Sequence, residues 1–394
     1  MIRIAVKMLV GDVSKFGGLL AGIAFAAFLA AFASCYFAGF MTRSFALVAE
    51  HPGADVWVMD PTTVSSEQFA NMPASVRDRV GSVAGVALTE MMAIGAADAR
   101  LPDGRLQPFQ IIGVDDATLA GAPALPDARA DTALRAPDAA IVDAGGSEGK
   151  LDTYDRPTLG GLANETGRPR RLHRDDVLSV NDHRIVLVGV SHSLPRFPPH
   201  PLLYMTYSNA LRVLPAERLR TSFVIAHARP GLSARALAVR IERQTGLHAR
   251  SAADFESDTV RWFLATSEDV GDIATMLTIA AFVGFGLTTV MLYIFTSENL
   301  RQYAVLKAMG AGAGTLRLML FAQSGISGLL GTGVGLGLCT AAGLYAGKAG
   351  MPFRMLWWTP VGVLALNTVA CSVASLISLW PVQHLDPASV FAGN

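Results

Sequence analysis

The chain has 394 residues, of which 51% are hydrophobic and only 16% are charged, a balance that is unusual for a soluble enzyme. Its 32 basic and 32 acidic residues give a formal net charge of zero, so nothing in the composition favours nucleic acid as a partner. The three cysteines all lie in apolar stretches, so the sequence implies no disulfide framework.

The charges are segregated along the chain, because residues 43–272 hold 24 of the 32 basic and 29 of the 32 acidic residues. Four stretches outside this block lack Asp, Glu, Lys and Arg, and each exceeds the roughly 20 residues that a helix needs to cross a bilayer. We therefore predict four membrane-spanning helices at 16–42, 273–296, 317–347 and 356–380, with a connection at 297–316, a short loop at 348–355 and a tail at 381–394.

Residues 1–15 place apolar side chains at helical spacing and basic side chains elsewhere on the helix, which predicts an amphipathic helix on the inner membrane surface. The alternative is that this segment is the cytoplasmic end of the first span. Ala31-Phe32-Ala33 resembles a small-x-small cleavage site, so a cleaved signal is a second alternative for the first span, although its apolar run exceeds a typical signal core.

Short flanking segments decide the orientation of a membrane protein through their Lys and Arg residues. The flanks predicted to be cytoplasmic carry Arg3, Lys7, Lys15, Arg301, Lys307 and Arg317, and the opposite flanks carry Arg43, Lys348 and Arg354. This bias predicts cytoplasmic termini and an extracytoplasmic block at 43–272.

The block at 43–272 alternates between strand-like and helical patterns. Strands are predicted at 54–59, 109–114, 139–142, 185–190 and 222–226, and helices at 65–80 and 233–245. Asn181-Asp182 separates two apolar runs, which predicts a hairpin turn. We expect a large α+β domain with an inserted, mostly β subdomain within about residues 115–220.

Several kinds of chemistry are disfavoured by the motifs. The glycine-rich segment 310–314 continues as Thr315-Leu316-Arg317, without the Lys that a phosphate-binding loop requires, so any ATP belongs to another chain. The histidines at 173, 183, 192 and 200 match no standard zinc spacing. From these patterns we predict no catalytic residues, no metal and no cofactor bound by this chain.

The predicted spans hold small residues where ion-coupled carriers commonly hold ionisable groups. Glycines at four-residue spacing allow helices to approach closely. The predicted packing pairs are Gly18 with Gly22, Gly331 with Gly335, and Gly333 with Gly337. Gln323 and Asn367 are rare polar side chains near the spans, and we interpret them as forming interhelical hydrogen bonds.

Residues 297–311, SENLRQYAVLKAMGA, resemble the cytoplasmic connection of permeases of the MacB/FtsX family, in which a Glu/Arg-rich start leads into a Leu-(Lys/Arg)-Ala-Leu-Gly-Ala-like stretch. Met309 replaces the usual Leu. Residues 4–12 and 54–61 resemble the DevC-like branch of these permeases, and residues 386–391 resemble the short tail of the family. Some 40 residues carry the resemblance in detail.

The resemblance implies the permease subunit of an ABC transporter in the bacterial inner membrane, a homodimer that is not itself an enzyme. Its implied partners are two copies of a separate ABC ATPase subunit, which would hold ATP and Mg²⁺, together with a periplasmic adaptor protein, an outer-membrane duct and membrane lipid. In such machines the ATPases move the membrane helices and the outer domains respond, so the implied activity is export by mechanotransmission. The alternative is an FtsX-like signalling protein that regulates an envelope partner without transport.

On this hypothesis the connection at 297–316 docks into the ATPase. Polar contacts are expected from the charged side chains, and a tight apolar contact from the end of the segment. The predicted coupling residues are Ser297, Glu298, Arg301, Ala304, Lys307, Ala308, Met309 and Gly310.

Overall fold

A computed structural model describes residues 2–125, 132–154, 169–193, 195–196, 199–216, 220–348 and 351–383. The chain divides into two compact units. Residues 1–40 and 268–394 form the helical unit, and residues 41–267 form the α+β unit. The tail resemblance at 386–391 lies outside the described residues.

The helical unit consists of long helices whose sequences carry few charges. Its helices are α1 (Ile2–Val10), α2 (Val13–Ser44), α8 (Glu268–Glu298), α9 (Leu300–Ala308), α10 (Ala313–Lys348) and α11 (Thr359–Gln383). Of these, α2, α8, α10 and α11 are long and apolar enough to cross a membrane, which confirms the predicted architecture of four membrane-spanning helices. Helix α11 packs against both α8 and α10.

The structure separates α1 from α2 at Gly11 and Asp12. The Asp12 carboxylate accepts hydrogen bonds from the backbone N–H groups of Ser14 and Lys15, each at 3.2 Å, and so satisfies donors that a helix N-terminus leaves unpaired. Helix α1 is thus a helix of its own, and it packs against α10.

The described residues of the α+β unit form one mixed sheet of nine strands and a separate two-stranded pair. The strands of the sheet are β1 (Val56–Met59), β2 (Val86–Arg100), β3 (Leu106–Val114), β4 (Ala139–Asp143), β7 (Val177–Val180), β8 (His183–Ser191), β9 (Leu202–Thr206), β10 (Phe223–Ala228) and β11 (His248–Ser251), and those of the pair are β5 (Asp152–Thr153) and β6 (Arg170–Arg171). The order in the sheet is β11-β1-β10-β2-β3-β9-β4-β8-β7. The helices are α3 (Ala46–Ala49), α4 (Val76–Gly81), α5 (Tyr207–Val213), α6 (Ala234–Thr245) and α7 (Ala252–Thr266).

Strand β2 joins the two parts of the sheet. Its first half pairs with β10 from residue 86 to 92, and its second half pairs with β3 from residue 93 to 100. Strands β4, β8 and β9 lie between β3 and β10 in the sequence yet belong to the same sheet. The mostly β insertion therefore shares a backbone hydrogen-bond network with the rest of the α+β domain, whose fold class is as predicted.

Side chains from β1 and β10 alternate between the two faces of the sheet, as the two-residue period of a strand requires. Val58 and Val224 pack on one face against α4 and α6, while Trp57 and Phe223 pack on the other face with Phe255 of α7. Both faces of this part of the sheet are therefore buried.

Two local predictions in this unit are confirmed. Val180 and His183 are paired across a hairpin whose turn residues, Asn181 and Asp182, both have positive φ. Helix α6 begins after Ser233, whose side chain accepts from the N–H of Ala236, and ends at Gly246 with φ of 68°. These are the expected N-terminal and C-terminal caps.

The predicted helix at 65–80 is wrong over most of its length, because only α4, Val76–Gly81, is helical. Pro73 disfavours helical backbone at the residue before it, and that residue, Met72, forms a bridge with Thr221 instead. Earlier in the segment, the Ser65 hydroxyl accepts from the N–H of Gln68, which provides a local alternative to helical hydrogen bonding. Strands β2, β9 and β11 were not predicted from the sequence.

Candidate functional site

Helix α9 lies between two of the long helices, in the segment that the sequence analysis selected. It ends in a compact turn in which the N–H of Ala311 donates to the carbonyl of Leu306 and the N–H of Gly310 donates to Lys307, both at 3.0 Å. Gly310 has φ of 94°, the left-handed conformation that favours glycine. This pattern is a Schellman motif, and the accompanying apolar contact joins Ala311 to the cluster that contains Leu306.

One side of α9 is buried within the helical unit. Tyr303, at 1% exposure, and Leu306 belong to a cluster that also includes Ala5 of α1 and Leu316 of α10. Three separate segments of the chain therefore meet at this cluster, which we name the linker cluster. The cluster also includes Met319 and Leu320, with Met8, Leu300 and Ala311 packed against it.

A buried polar tie connects the same three segments. The Tyr303 hydroxyl donates to Oε1 of Gln323 at 2.6 Å, and Nε2 of Gln323 donates to the carbonyl oxygen of Ala5 at 3.1 Å. Gln323 is 2% exposed, so its amide bridges two groups that water does not reach. Burial raises the pKa of Tyr303, which keeps the hydroxyl protonated and able to donate.

The opposite side of α9 is exposed. Arg301, Val305, Ala308 and Met309 are all exposed, and their spacing of four, three and one residues places them on one face of the helix. We name this face the linker stripe. Met309 is 71% exposed and Val305 is 39% exposed, so the stripe combines one cation with apolar surface.

The other predicted coupling residues lie elsewhere. Ala304 is fully buried and so belongs to the packed side of α9. Glu298 forms an ion pair with Lys15 at 3.4 Å, and the Ser297 hydroxyl donates to the carbonyl of Ile294 at 2.9 Å. Lys307 is half-buried. Val305 was missed by the sequence analysis, although its position four residues after Arg301 was a signal for it.

Two of the predicted packing glycines, Gly331 and Gly335, lie where α10 meets α2. A Cβ atom added at Gly331 would be 2.6 Å from Cγ2 of Ile23, and one added at Gly335 would be 2.4 Å from the carbonyl oxygen of Ala24. Both distances are too short for a side chain, so the approach of these helices requires glycine at these positions.

Of the four remaining predicted packing glycines, only Gly22 lies at a close contact between helices. A Cβ atom at Gly22 would be 2.8 Å from Cγ of Met291 on α8, so Gly22 is also at a close contact. Among the described residues, an added Cβ would meet nothing within 4 Å at Gly18, Gly333 and Gly337.

The polar side chains Gln323 and Asn367 form interhelical hydrogen bonds as predicted. The Asn367 amide of α11 donates to the Thr332 hydroxyl of α10 at 2.7 Å, and Gln323 forms the tie described above. Both interhelical hydrogen-bond predictions are confirmed. In the part of the chain that the structure describes, no group of three or more His, Cys, Asp or Glu side chains is arranged to hold a metal ion.

Comparison with known proteins connects this region to a family. Residues 274–387 match the FtsX-like permease C-terminal family, and this range includes the whole of α9 and the linker stripe. No curated protein matches the chain.

Solved structures that resemble the chain do so at low identity. The periplasmic region of MacB from Actinobacillus actinomycetemcomitans is 9% identical, with a TM-score of 0.35, covering 56% of this chain and 96% of that one. The extracellular domain of the noncanonic ABC-type transporter YknZ from Gram-positive bacteria is 11% identical, with a TM-score of 0.30, covering 50% and 98%. A domain of a permease protein from Porphyromonas gingivalis is 17% identical, with a TM-score of 0.32, covering 51% and 90%.

The polar tie predicts a specific loss of stability. Tyr303→Phe removes the hydroxyl and leaves Oε1 of Gln323 buried without its donor, which we expect to cost about 1–3 kcal/mol of unfolding free energy. Thermal unfolding of the purified chain in detergent measures the change. Tyr293→Phe is the matched control, because Tyr293 is 45% exposed on α8. Equal unfolding temperatures for the two variants would contradict the assigned role of the tie.

Proposed function

We propose that this chain, an ABC-transporter-type permease of the MacB/FtsX family by its residues 274–387, couples ATP hydrolysis on a separate ATPase subunit to movement of the α+β unit. The movement exports a substrate. The chain itself binds no nucleotide and acts as a lever. The observation that carries the proposal is the linker stripe, an exposed helix face on a segment whose opposite face is tied to α1 and α10.

A docking element must offer a surface to its partner and must also be fixed firmly enough to transmit force. The linker stripe meets the first requirement with Arg301, Val305, Ala308 and Met309. The linker cluster and the Gln323 tie provide the firm attachment, because displacing α9 would leave buried polar groups without hydrogen-bond partners. Force applied to the stripe is therefore transmitted to α1 and α10 together.

The helices next to α9 are suited to carry this motion through lipid. Helix α8 has 31 residues and α10 has 36 residues, which correspond to lengths of about 46 Å and 54 Å. Both are single continuous helices, so displacement at one end reaches the other end without an intervening joint.

The proposed orientation places the linker stripe and both termini in the cytoplasm of the bacterial inner membrane and the α+β unit outside it, in accord with the distribution of Lys and Arg in the flanks. The proposed assembly is a homodimer with two ATPase subunits. On the outer side of the membrane, a periplasmic adaptor and an outer-membrane duct carry the exported substrate onward.

The orientation predicts the behaviour of reporter fusions. Alkaline phosphatase inserted at the exposed turn around Gly231, between β10 and α6, is expected to be active because it folds only outside the cytoplasm. The same enzyme inserted at Gly312, between α9 and α10, is expected to be inactive. Activity measured in intact cells checks both, and the reverse pattern would overturn the proposed topology.

Gly310 provides a test of coupling. Proline cannot adopt the φ of 94° found at Gly310, and it lacks the N–H that donates to Lys307. We expect Gly310→Pro to abolish stimulation of the partner ATPase by the reconstituted permease, while membrane insertion is retained. Gly312→Ala is the matched control, because an added Cβ there meets no described atom within 4 Å. Normal ATPase stimulation by Gly310→Pro would contradict the assignment of residues 297–316 as the coupling segment.

Met309 provides a test of docking. We expect Met309→Asp to reduce co-purification of the ATPase at least several-fold, because it places a carboxylate in the apolar part of the contact. Met351→Asp is the control, because Met351 is 50% exposed in the segment between α10 and α11, which the proposal puts on the other side of the membrane. Comparable losses in both variants would point to misfolding instead of a docking contact.

Export and signalling differ in what the reconstituted complex does. Movement of a substrate out of proteoliposomes, dependent on ATP and on the ATPase, supports export. ATP-dependent activation of an envelope partner without such movement would replace export with the FtsX-like regulatory function.

A further inference from the structure

The α+β unit contains a cleft that the proposed coupling function does not use. Its volume is about 560 Å³, within the range of small-molecule sites in proteins. Side chains from β2, β8, β9 and β10 line one side, and the loop at 119–124 lines another. The apolar lining residues include Leu119, Ala120, Ala122, Pro123, Ala124 and Ile225.

The loop that closes the cleft is held in one position by a close contact. Gly121 has φ of 83°, and a Cβ atom added there would be 1.6 Å from Nε2 of His51. The backbone of this loop therefore approaches the His51 ring as closely as only glycine permits. The wall of the cleft is consequently a defined part of the fold.

Glu90 supplies a carboxylate to the lining. The residue is 4% exposed, and its Oε2 accepts from Nε2 of His227 at 3.0 Å. Its other oxygen, Oε1, has no hydrogen-bond partner among the described residues. Because this oxygen is not among the fully buried polar atoms that lack a partner, it is accessible from the cleft and able to accept a hydrogen bond from a ligand.

The other acidic residue of the lining, Glu50, has partners of its own. Glu50 is bound to Arg196 at 2.9 Å and to the Tyr204 hydroxyl at 3.0 Å. Burial raises the pKa of Tyr204 to about 12, so this phenol is neutral. Burial lowers the pKa of His51 to about 4, so its ring is neutral and Nδ1–H donates to the Leu47 carbonyl at 2.9 Å.

The cleft thus combines apolar walls with Oε1 of Glu90, an acceptor that has no donor among the described residues. We propose that it binds an organic cation, specifically a protonated amine carried on an apolar body. The ammonium donates to Oε1 of Glu90, and the body lies against the loop at 119–124 and Ile225. An anionic ligand would be repelled by the negative charge of Glu90. This site belongs to the α+β unit alone and is independent of the ATPase partner.

The test uses the full chain in nanodiscs of phosphatidylcholine, with empty nanodiscs as the blank. The probes are naphthylmethylamine, which is cationic at neutral pH, and naphthylmethanol, its uncharged counterpart. Calorimetric titration is expected to give saturable binding of the amine, at least about tenfold tighter than that of the alcohol, since a hydrogen bond to a charged group contributes that much. Equal binding of both probes, or no saturable binding of the amine, overturns the proposal.

Three variants locate the site. Glu90→Gln keeps the shape of the side chain and is expected to weaken amine binding by about tenfold or more while leaving the alcohol unchanged. Glu242→Gln, at an exposed carboxylate on α6, is the control and is expected to bind the amine as the unaltered chain does. Ala124→Phe fills the cleft from its exposed wall and is expected to abolish binding of both probes. Undiminished amine binding by either Glu90→Gln or Ala124→Phe overturns the proposal, and an unchanged unfolding temperature shows that each variant is folded.

Discussion

The amide of Gln323 is the interaction on which the candidate coupling site depends. It bonds at once to the Tyr303 hydroxyl and to the Ala5 carbonyl, and it is itself buried. A neutral amide can serve as donor and acceptor together, which a charged side chain cannot do without a desolvation cost. Because the tie fixes which side of α9 faces inward, it also fixes which residues form the linker stripe. The exposed residues of the linker stripe are therefore determined by the buried hydrogen bonds on the opposite side of α9.

The two units handle polar groups in contrasting ways. Between the ends of its long helices, the helical unit relies on neutral partners, such as Asn367 with Thr332, and on glycine contacts such as that of Gly335 with Ala24. These allow close packing where lipid offers no hydrogen bonds. The α+β unit uses charged pairs, such as Arg196 with Glu50. Against that background Oε1 of Glu90, which has no donor among the described residues, is the exception, and exceptions of this kind tend to occur at functional sites.

The sequence predicts features that depend on local chemistry. The membrane spans follow from the absence of charged residues, and helix α6 follows from Ser233 and Gly246 at its ends. Strand β2 was missed because residues 86–100, VALTEMMAIGAADAR, are rich in residues that favour helix. Pairing with β10 and β3 overrides that preference.

The two candidate sites also differ in how much of each can be predicted from the sequence. The coupling segment could be located from 15 consecutive residues, but the burial of Ala304 and the exposure of Val305 depend on what packs against α9. The cleft could not be predicted at all. Its lining residues Glu50, Glu90, Ser191, Tyr204 and His227 are scattered over more than 170 positions, and only the strand order of the sheet brings them together.

The Schellman turn at Gly310 also makes the length of this connection significant. The N–H groups of Gly310 and Ala311 bond to the carbonyls of Lys307 and Leu306, so one residue inserted between Met309 and Ala313 would disturb this turn and shift α10 relative to α9. Such a shift would weaken the hydrogen bond between Gln323 and Tyr303. Among homologous permeases, alignment gaps should consequently be rarer at 309–312 than amino-acid replacements are, because spacing here sets the alignment of two helices.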